Sequence, residues 1–549
     1  MRADGAARRP ASSATGSTTL GTILVRRALL ALGLGGGIAG VLVAPGCTER
    51  SAPPRPCVWV MAGPEPEFDP AGPPDPARRA IERLLTRGLI EEDSSGVLRP
   101  AAAERWEISH DSLACTFHLR PGLAFTDGTP CGSGDFERAL RAGLGRKDHS
   151  TQAWLLSALK GVDLVRPGKA LPELGIEVPD AQTLTLRLVR PDPRLLEKLA
   201  LPGVSDAWSE RSGGHWSRAA GLGPYRVALA DSGRRLVLAR AAPGAQPAAG
   251  ADTVILRFGL STGRIRTLLR SAAPDLVWPV PPGLLDEPLP AGYRIRSREA
   301  VPHRRLLLVM RADLPPTSRV PTRHALAHAL NRSDLIQPLG RFARELDTWQ
   351  DGVRPFVFPP FDGEEVRQWM ERADLGRSFH VVVAYDADGV AAPLARQMQG
   401  EWSHLAIYAE LEPLRGRRLR SECLTGLSHV LLVDSQGLIR DPAADLAALV
   451  MPLRGPAVGS FRTGWRTREF DAWLYPQRGP APPLPVEQAL QRLEEELVAL
   501  PLFELPWLWV ERENAAARCH PHFGPECPAP AAAPHASKRP RSGRSSAKG

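Results

Sequence analysis

VLRPAAAERWEISHDSLACTFHLRPGLAFTDGTPCGSGDFERAL, residues Val97–Leu140, carries the densest pattern in this chain of 549 residues. Leu98–Trp106 reads as an extended run and a short amphipathic turn ending in an aromatic. A His-Asp-Ser turn comes next at His110, Asp111 and Ser112, between apolar positions. Thr116–Arg120 then alternates, with Phe117 and Leu119 on one face and His118 and Arg120 on the other, the period of a half-buried strand. Asp127-Gly128 is a tight-turn dipeptide, Pro130 stiffens the backbone after it, and Asp135 is placed to cap a helix from Phe136. The stretch contains no obvious nucleophile or metal cage, so its residues read as scaffold.

The order of these clauses resembles the family 5 extracellular solute-binding proteins, the receptors of oligopeptide, dipeptide and nickel ABC importers. L-x-P-x-x-A-E-x-W-x-x-S-x-D runs from Leu98 to Asp111 through Pro100, Ala103, Glu104, Trp106 and Ser109. T-F-x-L-R-x-G-x-x-F-x-D-G-x-P runs from Thr116 to Pro130, and Asp135-Phe136 supplies the D-F that opens a helix. Gly221-Leu222-Gly223-Pro224-Tyr225 resembles the family's G-T-G-P-Y. A third marker is the helix at Pro321–Leu330, where Ala325, Leu326, Ala329, Arg332 and Ile336 match V-R-x-A-L-x-x-A-I-D-R-x-x-I in register.

The resemblance spans about residues 58–515, densely in the first half and only by element order over 340–430. It implies an α/β, two-lobed periplasmic-binding-protein-like fold (type II, cluster C) with an inserted α+β subdomain in the first lobe. The expected divisions are a leader at 1–46, a tether at 47–57 and lobe one at 58–275 with its subdomain at about 91–215. Lobe two is expected at 276–485, a return segment to lobe one at 486–527 and a disordered basic tail at 528–549.

Composition bears on partners. A net charge of +9 suggests a polyanion. The excess lies at the ends, however. Arg2, Arg8, Arg9, Arg26 and Arg27 stand against Asp4, and Lys538, Arg539, Arg541, Arg544 and Lys548 stand against no acid, which accounts for the whole of it. The body between is electrically balanced, so nucleic-acid binding loses its main support.

Arg26-Arg27, the apolar run Ala28–Val43 and the small residues before Cys47 make a secretory signal with a lipobox-like end. Cys47 is the expected lipid-bearing residue, which would anchor the protein to the membrane in the periplasm or cell envelope. Gly35–Gly40 satisfies G-x-G-x-x-G only as a coincidence inside this signal, with no strand before it. Six cysteines remain, and an exported chain permits disulfides. Cys115 with Cys131 and Cys519 with Cys527 are the expected pairs.

No G-x-S-x-G, H-E-x-x-H or Walker pattern occurs, so an enzyme is not expected. CHPHFGPEC at 519–527 has four metal-ligating groups at a spacing unlike a zinc finger, and His324 and His328 fall at variable positions of a family helix, so no metal and no cofactor are expected. In peptide-binding members an Asp at the end of the equivalent strand pairs with the peptide's α-ammonium. Resemblance therefore points to Asp434, at the end of the apolar strand His429–Val433, as the first ligand contact. Trp278, Trp402, Trp465 and Trp473 are candidates to line the cleft.

The implied mechanism is capture of a peptide or similar small solute by a monomer whose lobes hinge shut and dock on the permease subunits of an importer. Two other readings stand beside it. One is the same fold used as a sensor or as a receptor for nickel chelates or sugars. The other is a cell-envelope protein that has lost ligand binding.

Overall fold

In a computed structural model, the described residues run from 56 to 513 apart from short interruptions and the longer stretches 70–75, 242–250, 299–303, 437–462 and 466–485, with two short strands beyond at 518–520 and 524–526. The leader, Cys47, Trp473 and Cys527 lie outside them. No helix among the described residues is long and apolar enough to cross a membrane.

The chain begins its fold with β1 (Cys57–Met61). β2 (Ile90–Glu92) and β3 (Leu98–Pro100) pair as a hairpin. β4 (Ala103–Ile108), β5 (Ala114–Leu119), β6 (Ile176–Asp180) and β7 (Thr183–Arg187) form a four-stranded sheet in the order β4-β5-β7-β6. Then come β8 (Tyr225–Asp231), β9 (Arg235–Arg240), β10 (Thr253–Arg257), β11 (Leu276–Trp278) and β12 (Tyr293–Arg298). β13 (Arg304–Met310), β14 (Arg344–Glu345), β15 (Phe379–Asp386), β16 (Ile407–Leu414), β17 (Val430–Gln436) and β18 (Ala499–Glu504) are next, and β19 (Trp507–Arg512) closes the body.

Two large sheets define the lobes. The first has seven strands in the order β12-β19-β11-β1-β10-β9-β8, with β10, β1 and β11 parallel at its centre. Its central strand is covered on both faces, because successive side chains point to opposite sides. Trp59 packs under the helix Pro76–Leu85 with Ile81, Leu84 and Leu85, while Val60 packs with Ile265, Leu268 and Leu269 of the helix Thr262–Arg270. The second sheet, β14-β18-β13-β17-β15-β16, is parallel at β17-β15-β16. Leu306–Met310 are buried on both of its faces, as the all-apolar run in β13 requires.

The opening stretch is the inserted subdomain's hairpin and first helix. Phe117 and Leu119 are buried and His118 is half-buried, as the alternation predicts. Asp111 closes the His-Asp-Ser turn by accepting from Leu113 N at 3.0 Å, and Gly128 takes φ +85° in the Asp-Gly turn. The helix begins earlier than expected, at Ser133. Asp135 sits inside its first turn and reaches back to the Gly132 amide at 2.8 Å, half of a capping box.

Three expectations need correction. Lobe two does not begin at 276: β11 and β12 hydrogen-bond to β19 in the first sheet, so the division falls after β12, which ends at Arg298, and before β13, which begins at Arg304. The return segment does not begin at 486 either, since the helix Val486–Glu496 and β18 belong to lobe two and only β19 rejoins the first sheet. Cys115 and Cys131 are free thiols. Cys115 sits mid-strand in the subdomain core, where burial pushes its thiol up to about 12, and the Cys131 thiol is engaged by Asp135. Cys519 lies in the short strand Arg518–His520, and its expected pairing with Cys527 falls outside the described residues.

Candidate functional site

In open α/β sheets ligands bind beyond the carboxyl ends of the parallel strands. In the first sheet those ends are Met61, Arg257 and Trp278; in the second they are Asp386, Leu414 and Gln436. Backbone bonds tie the first set together: Ala62 N donates to Trp278 O at 2.8 Å, and Gly259 N to Gly63 O at 2.6 Å. Gly63 has φ +127° and nothing within 4 Å of where a Cβ would stand, so the backbone faces open space there.

The chain leaves the first sheet at the end of β12, enters the second with β13, and returns from β18 to β19 through Leu505-Pro506. Arg304, first residue of β13, gathers both neighbourhoods. Its carbonyl accepts from Leu505 N at 2.8 Å, and its Nη1 donates to Pro506 O at 3.4 Å. Its Nε lies 3.0 Å from each carboxylate oxygen of Asp434, and its Nη2 also donates to Oδ2. Its guanidinium covers the ring of Trp507 at 4.7 Å, and Trp507 packs on Trp278 with ring centroids 5.4 Å apart. An unbroken chain of contacts, Asp434–Arg304–Trp507–Trp278, therefore joins the carboxyl end of β17 to that of β11.

Asp434 and Trp278 are thus brought into one place, although Asp434 meets a guanidinium already within the protein. Among the described residues, no acceptor meets the buried indole N–H groups of Trp278 and Trp507. Trp402 and Trp465 are corrections. Trp402 is sealed in the lobe-two core, donating to Leu326 O at 3.2 Å, and Trp465 donates to Glu496 Oε2 at 2.8 Å from a buried position. Both are held by lobe-two packing, which the aromatic residue type alone does not reveal.

Arg304 and Trp507 escaped the sequence reading. The available signal was the Arg304-Arg305 pair opening an apolar strand. Consecutive side chains face opposite ways, so one points to the junction while Arg305 turns into the core and donates to Trp349 O at 2.7 Å. His324 and His328 stack with Trp369 and are bonded to Glu495 O at 3.0 Å and Pro360 O at 2.9 Å. No group of three or more His, Cys, Asp or Glu disposed to hold a metal occurs among the described residues.

Two sheets of this topology, joined by two crossings with a shared contact chain at the strand ends, define a two-lobed solute-binding protein. The chain belongs to the bacterial extracellular solute-binding proteins, family 5, whose middle region matches residues 97–443. It is 30% identical over 186 residues to the periplasmic oligopeptide-binding protein OppA of Haemophilus influenzae, covering 31% of this chain and 34% of that one. It is 32% identical over 140 residues to the probable deoxycholate-binding periplasmic protein YgiS of Escherichia coli, covering 23% of this chain and 26% of that one. These matches span about a third or less of each relative. The fold is similar to that of the murein tripeptide binding protein MppA of Escherichia coli, with a TM-score of 0.73 at 19% identity over 87% of this chain and 97% of that one.

Proposed function

We propose that this protein captures a peptide or a similar small solute between its two lobes and hands it to the permease subunits of an ABC importer. The observation that carries the reading is the contact chain from Asp434 to Trp278, which spans the strand ends where a ligand of this fold class would sit. Closure of such a cleft is driven only by the ligand's extra affinity for the closed state. The protein acts as a monomer and performs no chemistry of its own; the energy of transport comes from the importer. The signal-like leader and Cys47 support a lipid anchor that holds the protein at the membrane in the cell envelope. Replacing Cys47 with Ser should release it from the membrane fraction.

A second reading, a receptor for a non-peptide solute, is favoured by one observation: the carboxylate of Asp434 is occupied by Arg304. The relative YgiS is named for deoxycholate, which has no ammonium group. A thermal-shift screen tests both readings, because a ligand present at 100 times its Kd stabilises the native state by about 2.7 kcal/mol. A rise in Tm with peptide pools supports the first reading, and a rise only with sterols, sugars or chelates supports the second. Silence throughout would leave a cell-envelope protein without a ligand and sink both.

A further inference from the structure

We propose that Arg234, Arg235, Arg257 and Arg264 form a basic docking surface at the mouth of the cleft, and that it meets an acidic face of the protein that receives the solute. The inference rests on the solute-capture reading and adds to it a surface and the charge of its partner.

Strand order places the mouth. The chain leaves the first sheet from β12 and re-enters it at β19, both at one edge. Lobes that pivot at that edge part most at the other, where β9 and β8 lie. β9 is four strands from β19, about 19 Å at the usual strand spacing. The turn from β8 to β9 stands at the carboxyl end of β10, because Arg235 is the register partner of Arg257. Two bonds fix it to the neighbouring strand ends: Gly233 N donates to Glu65, and Phe258 N donates to Arg234 O at 2.9 Å.

Arg234, Arg235 and Arg264 are exposed and Arg257 is half-buried. Arg257 is also the register partner of Val60, on the face against which Ile265 packs. Arg235 and Arg257 therefore share the side of the sheet covered by the helix Thr262–Arg270, whose first turn carries Arg264. The same segments hold two acids, Asp231 and Glu65. Among the described residues, no carboxylate makes an ion pair with any of the four arginines.

Like charges set directly opposite across a strand pair destabilise it. Carboxylates on a partner turn that repulsion into attraction, and guanidinium groups match them in bidentate geometry. Complementary charge at a rim steers encounter and fixes orientation. A carrier that must present its open side to a receiver needs both.

The test places p-benzoylphenylalanine at Ser232, exposed in the same turn, in the full chain within cells that make it, and irradiates them. A control places it at Glu173, whose side chain is 91% exposed on the subdomain. The proposal expects position 232 to join a membrane-spanning permease, within a segment of net negative charge, and position 173 not to. Arg234→Glu with Arg235→Glu should cut that adduct about tenfold at unchanged Tm, the effect of a few exposed ion pairs lost together. Should the double variant lose Tm, Arg264→Glu decides with a loss of about threefold, at a first-turn position where an acid suits the helix. An adduct with phospholipid, one in a neutral or basic segment, one that charge reversal leaves intact, or none at all overturns the proposal. Thermal shift reads solute capture separately. If a ligand still raises Tm, the docking surface falls alone; if none does, the capture reading falls with it.

Discussion

The amide of Gly223 donates to the carbonyl oxygen of Leu85 at 2.9 Å, and a Cβ on Gly223 would stand 2.4 Å from the Leu85 carbonyl carbon. This contact presses the Gly221–Tyr225 segment against the end of the helix Pro76–Leu85. The same segment holds the chain beside the Asp127-Gly128 turn, since Thr126 N donates to Gly221 O at 2.9 Å.

Gly223→Ala is therefore expected to destabilise the protein by about 2–4 kcal/mol, because the obstructing atoms are backbone and cannot step aside. Gly134→Ala is the control. It lies on a helix with nothing within 4 Å of its Cβ, and the change should be neutral or stabilising by up to about 1 kcal/mol. Urea midpoints for the two variants check the contrast.

Arg311 is 1% exposed, donates to both carboxylate oxygens of Asp313 at 2.8 and 3.2 Å, and donates to Gly426 O at 2.9 Å. Asp313→Ala leaves that guanidinium without its carboxylate and should cost about 3–5 kcal/mol. The double change Asp313→Ala with Arg311→Met should cost less than Asp313→Ala alone. Equal or greater loss in the double variant would show that hydrogen bonding, not charge, dominates the site.

Stability should fall as pH drops below about 6.5, the ordinary value for histidine. Burial holds His324 and His429 below that value, and His429 Nδ1 already accepts from Val382 N at 2.9 Å. Around His324 the neighbouring cations Arg323 and Arg372, with His328, act in the same direction. The sign comes from linkage: below the unfolded value the unfolded chain binds protons that the native state refuses, so acid favours unfolding. Denaturation at pH 5 and pH 7.5 measures the loss, and His429→Gln should reduce it.

Iodoacetamide should label Cys115 and Cys131 in unfolded protein without any reductant, and Cys115 only slowly in native protein. Burial raises both thiols, leaving little of the reactive thiolate. Peptide masses two units short of the reduced pair would instead reveal a disulfide.

Much of the fold was legible because it is written in local periods. The alternation at Thr116–Arg120, the apolar run in β13 and the Asp-Gly turn each come from backbone geometry within a few residues. The Gly221–Tyr225 segment was legible as a family marker, although the helix against which its glycines pack was not.

By itself, the sequence determined the class of fold, the family, the placement of charge at the two ends and the strand that carries Asp434. Only the tertiary structure decided where the lobes divide, that Cys115 and Cys131 stay apart, and that Trp402 and Trp465 are core. Above all it decided that Asp434 meets Arg304, 130 residues away in sequence. The reason is physical. Side-chain periodicity is fixed by the chain's own stereochemistry, whereas a pairing across a sheet depends on strand order and register, which no short window of residues contains.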